Sequence, residues 1–81
     1  MRLDKYLKVS RLIKRRTVAN EACDAERVSV NGRPQRASYD VKVGDKISIR
    51  FGDKTVTVEV LAINETAGKA DAPAMYREVA Q

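Results

Sequence analysis

The chain has no histidine, no tryptophan, one cysteine (Cys23) and one phenylalanine (Phe51). Without histidine, Ser-His-Asp triads, Cys-His pairs and the common zinc ligand sets are excluded. A lone cysteine forms no internal disulfide, which makes the cytoplasm the expected compartment. The four glycines (Gly32, Gly44, Gly52, Gly68) stand singly, so no glycine-rich phosphate loop exists. No apolar stretch approaches the roughly 20 residues of a membrane span. The basic N-terminus also lacks the apolar run of a secretory signal. Eighty-one residues make one domain with a small core and leave little room for an enclosed pocket. We therefore expect no enzyme, no cofactor, no metal, no small-molecule substrate and no membrane contact.

What is present is positive charge, placed unevenly. Seven of the first sixteen residues are Lys or Arg (Arg2, Lys5, Lys8, Arg11, Lys14, Arg15, Arg16), against one acid, Asp4. Residues 1–36 hold 10 of the 16 basic side chains and 4 of the 11 acids, a balance of +6. Residues 37–81 hold 6 bases and 7 acids, a balance of −1. An ordinary solvated helix face mixes signs to limit self-repulsion; this one does not. A field concentrated at one end attracts a polyanion, since each cation that meets a phosphate releases condensed counterions.

Leu3, Tyr6 and Leu7, then Val9, Leu12 and Ile13, recur at spacings of three and four, which predicts a helix over about residues 3–13. Asp4, Lys8, Arg11 and Arg15 then share another face of it. Thr17 is the expected N-cap of a second helix with Val18, Ala19, Ala22 and Cys23 on its apolar side. That helix should end near residues 25–27, at a point no glycine marks. Arg15 and Arg16 immediately before it suggest a phosphate pocket.

From Arg27 the period becomes two. Val28-Ser29-Val30 alternates into Asn31-Gly32, a tight-turn signal, and residues 33–37 return as an edge strand because of Pro34. Residues 46–51 and 55–60 alternate around Gly52-Asp53-Lys54 as a hairpin. The expected fold class is α+β, two N-terminal helices packed on a small twisted antiparallel sheet. Residues 1–63 form the domain; 64–81 read as a flexible or short helical tail, with a helix over 75–80 as one form of it. Tyr6 and Phe51 fall on apolar faces and are expected in the core. So thin an aromatic content argues for recognition by shape and phosphate rather than base sequence.

Four segments in order resemble the S-four RNA-binding domain family: residues 2–7, 14–17, 28–32 and 41–47. Many members carry Gly shortly before the strand at Val28, where this chain has Glu26. The resemblance implies that the first two helices and the following turn form an RNA-binding surface. Carried over by position, its candidates are Arg2, Asp4, Lys5, Lys8, Arg11, Arg15, Arg16 and Asn31, to which the basic run adds Lys14 and the turn adds Arg33; Asp4 would orient its basic neighbours. Residues 1–17 are especially similar to a free-standing bacterial branch, the RqcP family of ribosome-associated quality control. That resemblance implies binding to large ribosomal subunits that carry stalled peptidyl-tRNA, with contacts to rRNA and P-site tRNA. It also implies RqcH as functional partner in adding a C-terminal alanine tail. The alternative is the ribosome-associated heat-shock branch, which typically carries a longer basic C-terminal extension and recycles stalled large subunits without tailing.

Overall fold

The computed structural model describes residues 1–65, 68 and 70–79; the parts of the expected tail at 66, 67, 69, 80 and 81 lie outside it. Two short helices, α1 (Leu3–Val9) and α2 (Arg16–Asp24), precede strands β1 (Val28–Val30), β2 (Arg33–Pro34), β3 (Lys46–Phe51) and β4 (Lys54–Val60). A single 3-10 turn, Ala72–Met75, leads into β5 (Tyr76–Glu78). The five strands form one sheet in the order β2-β1-β3-β4-β5, with every pairing antiparallel.

α1 ends four residues earlier than its apolar spacing predicts. Ser10 caps it and Arg11 turns left-handed at φ 64°, so Leu12 and Ile13 belong to the connection to α2. Ile13 is still buried, its amide donating to the Leu7 carbonyl at 3.0 Å. Spacing alone cannot tell a helical apolar residue from one that folds back onto the same core. Arg11 and Arg15 therefore do not continue a stripe from Asp4 and Lys8.

α2 starts at Arg16 with Arg15 as N-cap, and Thr17 lies inside it rather than capping it. Ala19 and Cys23 are buried, whereas Val18, expected on the apolar face, is exposed. At the other end the Glu26 amide donates to the Cys23 carbonyl (3.0 Å) and the Arg27 amide to that of Ala22 (2.9 Å). These are the two bonds of a Schellman cap, with Glu26 held left-handed at φ 59° where glycine is usual.

Asn31 and Gly32 both have positive φ, as a two-residue hairpin turn of type I′ requires, and Val30 pairs with Arg33. Pro34 lies on the edge strand, where its missing N–H costs no ladder bond. That strand is two residues long, shorter than 33–37.

One core joins the layers. Leu3, Tyr6 and Leu7 from α1 and Ala19 and Cys23 from α2 pack on Val28, Val30, Ile47, Ile49, Val58 and Val60. Each fully buried Leu, Ile or Val contributes about 1.5–3 kcal/mol. Phe51 continues the inward row of β3 but, as its last residue beside the hairpin turn, is 46% exposed. The expectation of a core Phe51 is corrected. Met75 is buried, and Tyr76–Glu78 pair with β4, so a strand stands where the sequence suggests a short helix.

Candidate nucleic-acid interface

The N-terminal end of α1 is fixed by a neighbouring loop. The Leu3 amide donates to the Tyr39 carbonyl (2.8 Å) and the Asp4 amide to that of Ala37 (3.2 Å). The Lys5 amide donates to the Asp4 carboxylate at 2.8 Å. With these bonds the unpaired amides of the first turn find acceptors, although Arg2, the N-cap, offers no side-chain cap.

Asp4 is the hub of this cluster. It is almost wholly buried, yet its carboxylate accepts from Arg2 Nε (3.2 Å) and Nη2 (3.4 Å) and from Arg16 Nε (3.3 Å). Asn20 Nδ2 adds a fourth side-chain bond at 3.4 Å. Burial pushes the Asp4 pKa up, but the bonds from Arg2, Arg16, Asn20 and the Lys5 amide outweigh it. The carboxyl is held below its ordinary value and stays ionised. Both guanidiniums remain about half exposed, so each keeps donors free for an outside anion. Two charged forks from different helices are thus locked side by side by one buried acid. Arg16, Asn20 and Asp4 line a cavity of about 370 Å³ with Thr17 and Glu21.

Lys8, Arg11 and Lys14 converge on a second recess of about 330 Å³ around Val9. The left-handed turn at Arg11 allows this, because it folds the chain back so that Lys14 returns beside α1. Lys5 lies 3.8 Å from Glu65, and Arg15 stays exposed.

The turn candidates differ from the helical ones. Asn31 gives Nδ2 to Asp45 (3.1 Å) and accepts from the Lys46 amide through Oδ1 (3.0 Å). Asp45 also receives the Tyr39 hydroxyl (3.0 Å) and the Lys42 amide (3.0 Å). The Asn31 carboxamide is therefore engaged in fastening the turn to the 39–46 loop. Arg33 projects from β2 and is exposed. Asn20 is a residue the sequence reading missed; its position four after Arg16 on α2, on the same face, was the available signal.

Cys23 is buried beneath this region, its thiol pushed up to about 11 by burial and by the charges of Asp4 and Asp24. Among the described residues no group of acids, histidines and cysteine is arranged to hold a metal, and no helix is long and apolar enough to cross a membrane.

Comparison with known proteins places this geometry. The S4 domain family model matches residues 1–47. The chain is 57% identical over 76 residues to an RQC P-site tRNA stabilizing factor of Bacillus subtilis, covering 94% of this chain and 88% of that one. It is 52% identical over 81 residues to the protein of the same name from Streptococcus pneumoniae, covering 100% and 92%. A solved structure of Heat Shock Protein 15 from Vibrio cholerae superposes with a TM-score of 0.90 at 32% identity, covering 99% of this chain and 82% of that one. The helical pair, the hairpin turn and these likenesses agree: the chain belongs to the S4 domain family, in the branch of the RQC P-site tRNA stabilizing factors.

Proposed function

We propose that this protein is a cytoplasmic RNA-binding factor of ribosome-associated quality control. It binds large ribosomal subunits that carry stalled peptidyl-tRNA, contacts rRNA and the P-site tRNA, and supports RqcH-dependent alanine tailing of the nascent chain. It does so as a binding module rather than as an enzyme. The observation that carries this reading is the buried Asp4 holding Arg2 and Arg16 together. Two preorganised guanidiniums present donors in the fork geometry that phosphate accepts, and they lose little side-chain freedom on binding. Lys8, Arg11 and Lys14 extend the cationic surface along the backbone of the same RNA, and Lys5, Arg15 and Arg33 add charge at its margins. Asn31 contributes by fixing the turn.

The heat-shock branch shares the fold, so the fold does not separate tailing from recycling. Identity of 52–57% to the tRNA-stabilizing factors, against 32% to the superposed heat-shock protein, favours the first.

Arg2→Ala or Arg16→Ala should each weaken co-sedimentation with large subunits by roughly tenfold or more, as loss of a charge-assisted contact requires. Unchanged co-sedimentation would remove these residues from the interface. Alanine tails in cells should disappear when the gene is deleted; tails that persist would point to recycling instead.

A further inference from the structure

We infer that the open face of the sheet is a second grip on RNA backbone, centred on Arg27 and Arg50. The helices cover one face of the sheet, the one bearing Val28, Val30, Ile47, Ile49, Val58 and Val60. Because successive strand residues alternate, the other face is set by their neighbours. It carries four cations, Arg27, Lys46, Arg50 and Arg77, and among the strand residues facing that way one carboxylate, Glu59, which lies opposite Lys46 and is bound by Arg77 at 2.6 Å.

Arg27 and Arg50 are direct cross-strand neighbours. Their register follows from Val28 opposite Ile49, and the Arg50 amide donates to the Arg27 carbonyl at 2.9 Å. Like charges placed opposite one another destabilise a sheet. Among the described residues no ion pair joins either arginine to a carboxylate, although Glu26 and Asp53 stand at the rim. Among the described residues the repulsion is therefore relieved by no direct ion pair. Ser29, Ser48 and Thr55 border the pair in a shallow recess of about 180 Å³; the Ser48 hydroxyl is bonded to that of Thr57 at 3.0 Å, and the hydroxyls of Ser29 and Thr55 lie beside the guanidiniums as donors.

These donors match the acceptor oxygens of phosphate. A protein partner fits less well, since the face offers no apolar centre of the kind protein interfaces bury. Nor does one free phosphate account for it. Lys46 and Arg50 are four residues apart on β3, roughly 13 Å at 3.3 Å per residue, so only an extended polyanion meets both ends. With the helical surface on the other side of the molecule, the protein would lie between two RNA segments. The RNA is argued from this face alone; that it is ribosomal or transfer RNA rests on the function proposed above.

The test uses the full chain and a fluorescein-labelled RNA hairpin, followed by anisotropy at low salt. In protein carrying Arg2→Gln and Arg16→Gln, binding should persist, and adding Arg27→Gln and Arg50→Gln should weaken it at least tenfold. In otherwise wild-type protein the same sheet substitutions should flatten the slope of log K against log salt by roughly two. The melting temperature should hold or rise, since a repulsive pair is removed. The inference is overturned if the helix variant keeps no binding, if affinity and slope ignore the sheet substitutions, or if those substitutions lower the melting temperature. Polyglutamate that displaces the hairpin equally well per charge would overturn it in favour of an acidic protein surface. None of these outcomes depends on whether alanine tailing is the cellular role.

Discussion

Asp4 illustrates how one residue serves both stability and charge display. Its carboxylate is buried, and it remains ionised because five donors from four residues surround it. A carboxyl held below its unfolded value contributes stability that is fully present above that value, and this contribution fades as pH falls through the folded one. Asp4→Asn keeps the shape but loses charge-assisted bonds, so it should cost about 1–3 kcal/mol near neutral pH. Urea denaturation of both proteins from pH 7 to pH 2 should show that gap shrinking below about pH 4, near the unfolded carboxyl value. A gap independent of pH would mean that the charge is not what stabilises.

At the scale of elements, both helices end on a left-handed residue that is not glycine, Arg11 after α1 and Glu26 after α2. L-residues pay about 1–2 kcal/mol for that conformation. At Arg11 the same bend carries Lys14 back towards Lys8, so the strain serves the surface. Among the described residues no side-chain hydrogen bond or ion pair of Glu26 offsets its strain, and the cap bonds are made by its backbone. Glu26→Gly should therefore stabilise the protein by about 0.5–1 kcal/mol, after subtracting the greater chain freedom glycine gains when unfolded. Thermal melting checks this directly.

These ends also show why element boundaries were harder to read than element types. Apolar spacing located α1 and α2 correctly, and Asn31-Gly32 and Gly52-Asp53 marked both tight turns. The end of α1 was missed because Leu12 and Ile13 continue the helical spacing while serving a loop. β5 was missed because a three-residue strand with one half-buried side chain leaves no period to detect.

Over the whole molecule, the two ends of the chain are joined through Tyr6. Its hydroxyl donates to the Met75 carbonyl at 2.9 Å across 69 residues, inside the core that α1 shares with the sheet. Met75 also accepts from the Leu61 and Ala62 amides (2.8 and 3.1 Å), so Tyr6→Phe leaves no orphaned carbonyl. The cost should stay near 1 kcal/mol, lowering the melting temperature by about 4–8 °C for a domain of this size. A single cooperative transition should remain, since helices and sheet share one core.

Composition and spacing by themselves determined that this chain is a small α+β domain with its net charge at the helical end. Local preference and charge count act over a few residues and need no partner. Only the tertiary structure decided that Asp4 is the buried centre of the arginines, that Asn31 fastens a turn, that Phe51 is left exposed and that Arg27 faces Arg50. Each of these depends on groups distant in sequence meeting in space, and hydrogen bonding and burial are properties of that meeting rather than of the residues alone.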